Sequence, residues 1–285
     1  MKNKTSVFKV AITLPVIIYA IFLILIPIGY ILLISFFRSD SYGGMINDLT
    51  LQNYAMIFED VYVKVFLKSF LIALITTFLC IVIAYPFTIY VNQKSETVKK
   101  VLSTLVIVPF LTNSLIRMYG WIILLRKEGI INSALQGIGL TKGPLSLMYN
   151  DLGIIIGMVY TLLPFMILPL MNSVGKIEKS ILEASRDLGA NRFQTFLKII
   201  LPQTVPGLFN GCLMVFMPAI GFFFISDILG GGKVMLLGNL IKNQFLTARN
   251  WPFGAAISIF LLLITFGLVK LYKKIGGNMD DLGGF

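Results

Sequence analysis

Six long apolar stretches leave this chain little choice of solvent. They are residues 10–37, 69–91, 101–125, 152–171, 206–226 and 254–271. Each is close to the roughly 20 residues that a helix needs to cross the hydrocarbon of a bilayer. Hydrocarbon offers backbone N–H and C=O groups no partner, so a spanning segment must satisfy them itself, as a helix does. Runs of this length without strict apolar–polar alternation read as helices. Composition agrees. The chain is 57% hydrophobic and 13% charged, whereas a soluble domain carries about 25% charged residues. The expected fold class is therefore all-α integral membrane, with six transmembrane helices.

The apolar runs set the boundaries. A tail, 1–9, precedes the first helix, 10–37; a core follows over 66–271, and a second tail over 272–285. Lys2, Lys4 and Lys9 before the first run give it the look of a secretion leader. Its length is about twice that of a leader's apolar region, and no small-residue cleavage site follows. It reads as a retained helix. Lys and Arg set the orientation. With the N-terminus inside, fourteen fall in inner segments and nine in outer ones, and Arg117 lies within the third run. The balance predicts both termini in the cytoplasm. Pro15, Pro27, Pro86, Pro109, Pro164, Pro169 and Pro218 lie within the runs. They predict bent helices, as a transporter needs, or simply the higher proline content of membrane helices.

Several functions are excluded. The net charge is +11, but the basic residues flank apolar runs as membrane anchors do, so nucleic acid is not an expected partner and lipid is. There is no histidine, and Cys80 and Cys212 sit inside apolar runs. No metal site, cofactor or catalytic centre is expected. Gly230, Gly231, Gly232 and Lys233 suggest a phosphate loop. However, Val234 stands where the magnesium-binding Ser or Thr belongs, and Asp227 where the first glycine belongs.

The most polar stretch is "EASRDLGANRFQTFLKIILP", residues 183–202. Ile177, Ile181, Ala184 and Leu188 share one helical face, with Lys179, Glu183, Arg186 and Asp187 elsewhere. Gly189 stands at a helix stop, and Asn191 with Gln194 has the spacing of a capping box. Segment 176–202 is thus expected to be a short helix, a turn and a second helix entering the fifth span, with the charged face outward. Such a segment either rests on the membrane or docks a partner.

Glu183-Ala184, Gly189, Ile199 and Leu201-Pro202 resemble the signature of bacterial ABC-importer permeases. That pattern is Glu-Ala-Ala, three residues, Gly, nine residues, Ile, one residue, Leu-Pro, and the chain departs from it at Ser185. The resemblance implies a coupling helix that docks on an ATPase, carried here by Glu183, Ala184, Ser185, Asp187, Gly189 and Ala190. Further stretches, 108–121, 162–170, 183–196, 223–233 and 249–256, are similar to the spermidine/putrescine importer permeases of the PotB type. This implies a MetI-like permease in the bacterial cytoplasmic (inner) membrane. Its implied partners are a second homologous permease, two copies of an ATPase and an extracytoplasmic polyamine-binding protein. ATP hydrolysis then belongs to a partner, and the chain is not an enzyme.

Candidate substrate-path residues follow from intramembrane polarity. Asp227 comes directly after an aromatic run that includes Phe223. A carboxylate beside aromatic faces suits an ammonium group; it equally suits a helix end paired with a nearby cation. Asn113, Tyr119, Trp121 and Tyr160 line the same path or anchor helices at the interface. Arg117 is expected to snorkel away from a cationic substrate. Two rival readings remain: a permease of the same class for an inorganic anion or ferric ion, and a channel working alone.

Overall fold

The structure, a computed structural model, describes residues 13–40 and 43–274. The expected tail 1–9 and residues 275–285 of the expected C-terminal tail lie outside the described residues, as do residues 10–12 of the expected first helix. The spanning helices are α1 (Thr13–Ile34), α3 (Asp60–Asn92), α7 (Asp151–Gly175), α9 (Arg192–Gly221) and α12 (Trp251–Lys274). α4 (Glu96–Leu111) and the stretch Ser114–Gly137, which opens with α5 (Ser114–Leu125), meet at 96° and are long and apolar enough for a sixth crossing only when taken together as one broken span. Shorter helices are α2 (Gln52–Met56), α6 (Ile130–Gly137), α8 (Lys179–Asp187), α10 (Phe223–Gly230) and α11 (Leu237–Leu246). One small hairpin, β1 (Phe37–Ser39) with β2 (Met45–Leu49), is antiparallel.

Asparagine opens four helices. Asn113, Asn150, Asn191 and Asn250 each accept, through the side-chain oxygen, from the N–H of Leu115, Gly153, Gln194 and Phe253 respectively. Each bond satisfies one of the donors that a helix start leaves unpaired.

Three expected boundaries are corrected. The first helix stops at Ile34, not 37, because Ser35 Oγ turns back to the Leu32 carbonyl and the chain enters β1. The expected third span, 101–125, is two helices. Thr112 is extended (φ −78°, ψ 156°), and its N–H and hydroxyl both donate to the Pro109 carbonyl, closing α4. Asn113 then starts α5 in a new direction. The expected fifth span, 206–226, begins earlier, at Arg192, and ends at Gly221, where Phe222 is extended. There Gly238 lies against the bared backbone, and a Cβ on it would stand 2.9 Å from the Gly221 carbonyl carbon.

The chain divides into two units. One takes residues up to Val63 together with Leu240–Phe266. In it Asn53 Nδ2 donates to the Ser35 and Phe37 carbonyls, and Ser35 Oγ meets the Tyr54 hydroxyl at 2.7 Å, fixing the turn from α1 into the hairpin. Tyr62 packs edge-on against Phe253 at 4.7 Å. Most α1 side chains are exposed, as on a helix that meets lipid or a partner chain.

The other unit takes Lys64–Asn239 and the residues from Gly267 onward. Met158, Leu162, Met166 and Leu170 form a fully buried ridge along α7. Gly207 and Gly211 of α9 lie against it. A Cβ on Gly207 would stand 2.7 Å from the Pro169 carbonyl oxygen, and one on Gly211 2.6 Å from Met166 Sδ. In lipid, helices associate through such close backbone approach rather than through apolar burial. Polar ties add to it: the Tyr85 hydroxyl meets Thr204 Oγ1 at 3.0 Å, and Asn92 Nδ2 donates to the Val174 carbonyl at 3.1 Å.

Candidate functional site

Segment 176–202 folds as its spacing indicates. α8 ends in a left-handed Gly189 (φ +77°). The Gly189 N–H donates to the Arg186 carbonyl and the Ala190 N–H to that of Ser185. This paired closure satisfies two of the last helical carbonyls. Two residues later the Asn191–Gln194 capping box is complete in both directions and opens α9. Helix end and helix start are thus joined by a four-residue turn, 188–191, with little slack.

The face that α8 presents differs from expectation. Ile177 is buried, but Ile181, Ala184 and Leu188 are exposed, Leu188 by 87%. Ser185 turns inward instead. Its Oγ donates to the Leu182 carbonyl and lies 3.1 Å from Thr195 Oγ1 on α9. The hydroxyl at this position therefore locks α8 to α9, which an alanine could not do. Glu183, Arg186 and Asp187 are exposed too. With Phe193 69% exposed, the outer surface is an apolar stripe edged by charge, which is the composition of a protein-docking patch. A groove of about 640 Å³ opens beside it, lined by Tyr90, Gln93, Arg186, Arg192, Phe193 and Phe196.

The expected substrate-path residues fall into two groups. Phe223 and Asp227 are one turn apart on α10, which packs on α5 and α7. Asp227 is half-buried, and its Oδ1 accepts from Asn239 Nδ2 at 2.6 Å. Asn239 also donates to the Phe223 carbonyl and accepts from the Leu236 N–H, so it holds the carboxylate in place. Nothing in the sequence links residues 227 and 239, which lie on different helices.

The second group surrounds the break between α4 and α5. Trp121 of α5 meets Tyr160 of α7 at 5.2 Å. Tyr119, about 200° round the helix from Trp121, is exposed and stands apart. Asn113 is exposed as the α5 cap. Arg117 is half-buried. Its guanidinium lies over the rings of Phe110, at 5.7 Å, and Tyr160, at 5.9 Å. Sequence periodicity misses this contact because the break separates Phe110 from Arg117.

Comparison with known proteins places this geometry. The profile described as "Binding-protein-dependent transport system inner membrane component" matches residues 81–274. The chain belongs to that family. It is a multi-pass inner-membrane permease subunit of an ABC transporter, a component that is not itself catalytic. Curated relatives include the spermidine/putrescine transport system permease protein PotB of Haemophilus influenzae, 42% identical over 274 residues, covering 96% of this chain and 95% of that protein. The PotB protein of Escherichia coli K12 is 45% identical over 240 residues, covering 84% of this chain and 87% of that protein. Among solved structures, a bacterial alginate ABC transporter in complex with an alginate pentasaccharide-bound periplasmic protein superposes with a TM-score of 0.76. At 16% identity, covering 96% of each chain, it shares the permease fold, as the MetI-like expectation requires.

The turn at Gly189 generates a test. No heavy atom lies within 4 Å of the position its Cβ would take, so a side chain there is penalised by backbone strain alone. Gly189→Ala is expected to lower stability by about 1 kcal/mol, and Gly189→Asn, which tolerates the left-handed region, by less. Thermal unfolding of the purified protein in detergent measures the order.

Proposed function

We infer that this chain is a permease subunit of an ATP-driven importer of polyamines, spermidine and putrescine, working by alternating access. The observation that carries the reading is 42–45% identity, over most of the chain, to permeases named for these substrates. The site chemistry supports it. A half-buried carboxylate beside exposed Phe223 provides both elements an alkylammonium group needs on leaving water. Asp227 is proposed to receive substrate from the binding protein, with Phe223, Trp121 and Tyr160 offering ring faces along the path. The partners proposed are a second homologous permease, two ATPase copies and an extracytoplasmic binding protein. Energy enters from outside the chain, through Glu183, Ala184, Ser185, Asp187, Gly189 and Ala190 and the stripe beside them.

Reconstituting the complex in vesicles with ATP inside the ATPase-bearing side tests the substrate. Spermidine uptake is expected, and transport of an inorganic anion or ferric ion in its place would replace the reading. Asp227→Asn keeps shape and removes charge. It is expected to cut uptake at limiting spermidine about tenfold, the value of roughly 1.4 kcal/mol, while the complex still co-purifies. Uptake equal to wild type would make Asp227 an ordinary helix-end residue.

Coupling is tested separately. Glu183→Lys reverses one exposed charge on α8 and is expected to leave the chain inserted while the ATPase co-purifies poorly. Normal assembly and normal ATP-driven uptake would remove Glu183 from the docking surface.

Both termini are proposed to be cytoplasmic, as the fourteen-to-nine Lys and Arg balance favours. Reporter fusions after Lys94 and Lys176 are expected to report the cytoplasm, and one after Lys142 the outside. An external signal at Lys176 would overturn the orientation and the ATPase role together.

A further inference from the structure

Arg117 is a charged group with unusually few polar partners. Its guanidinium makes one hydrogen bond, from Nη2 to Ser114 Oγ at 3.2 Å. Nε is buried without an acceptor. Among the described residues no carboxylate pairs with it. A guanidinium carries five donors, and a structural arginine in an apolar bundle ordinarily recruits a carboxylate or several carbonyls to offset its desolvation. Here the compensation is aromatic. The Phe110 and Tyr160 rings flank the cation at 5.7 and 5.9 Å. Trp121 braces Tyr160 edge-on at 5.2 Å, and Phe165 braces Phe110 at 5.1 Å. Each ring is braced by a neighbouring ring, while the cation sits on a flexible stem.

Ring faces that hold a guanidinium also hold an alkylammonium group, because both are drawn by the same ring quadrupole. We propose that Arg117 is a tethered competitor for the substrate, a specificity-determining residue that occupies the Tyr160 face until an ammonium group of the polyamine displaces it. This inference rests on the polyamine reading above. The arrangement keeps the aromatic faces covered between transport events. It sets the concentration at which a cation gains entry, since entry is an exchange of one cation for another rather than filling of a bare site. The position suits that role. Phe110 precedes the break at Thr112 and Arg117 follows it, so the contact straddles the point where the crossing is discontinuous.

The test is spermidine uptake by the reconstituted complex, as a function of spermidine concentration, with the wild type, Arg117→Lys and Arg117→Met. Methionine keeps an apolar stem and removes the charge. Its half-saturating spermidine concentration is expected to fall about three- to tenfold, the value of one or two cation–π contacts. Lysine keeps the charge but stacks less well, so it is expected to fall between the two. Wild-type uptake together with an unchanged or raised half-saturating concentration in assembled Arg117→Met overturns the competitor role and leaves the polyamine reading standing. Absence of spermidine uptake by the wild-type complex overturns both. Where Arg117→Met does not assemble, the exchange is read with arginine in place. Trp121 and Trp251 are the two tryptophans of the chain, so Trp251→Phe makes Trp121 the reporter. Saturating spermidine is expected to change its emission by unseating Arg117 from the neighbouring Tyr160, and emission that stays constant during uptake overturns the proposal.

Discussion

Backbone hydrogen bonding in a medium without water is the constraint on which the rest of this structure depends. A helix meets it residue by residue, and each interruption has to meet it by other means. At Thr112 the chain leaves the helix only after its N–H and hydroxyl have both closed on the Pro109 carbonyl, and Asn113 takes up a donor of the next helix. At Phe222 the bared backbone is covered by Gly238, a residue without a side chain to hold it off. Both breaks deliver polar or charged groups into the bundle. Arg117 follows the first and Asp227 the second, so chemistry enters the bundle where helical regularity has been given up.

The glycine contacts between α7 and α9 obey the same rule from the other side. Lipid tails give apolar side chains no reason to prefer a neighbouring helix. Gly207 and Gly211 let the two backbones approach along the Met166–Ser173 ridge, so dispersion and the Tyr85–Thr204 and Asn92–Val174 hydrogen bonds hold the bundle.

Much of this was legible in the sequence, and the reasons are specific. Apolar run length located the crossings because hydrocarbon thickness is a fixed ruler. The stop at Gly189 and the capping box at Asn191 were legible because each is made of local bonds between residues three to five apart. The 96° bend was missed although Pro109 and the Asn113-Ser114 pair signal it, because counting apolar residues averages across a break that stays apolar. The exposed face of α8 was misread because helical spacing shows which residues lie together, not which side of the helix is covered. Ile181, Ala184 and Leu188 do form a stripe, but Ser185 and its hydrogen bond to Thr195 decide which side turns in. Asn239's hold on Asp227 and the aromatic seat of Arg117 join separate helices, and no periodicity carries such information.

The four-residue turn between α8 and α9 has a mechanical consequence. With both helix ends capped and Ser185 hydrogen-bonded to Thr195, α8 acts as a crank rigidly keyed to a long shaft. The shaft, α9, has 30 residues and is therefore about 45 Å long. A tilt of about 10° imposed at its keyed end would sweep the far end through about 8 Å, more than one helical turn. That far end is Gly221, next to the break that launches α10 and its carboxylate. A sub-nanometre push at one surface is thereby geared, through one continuous helical segment, into a comparable displacement at the opposite end.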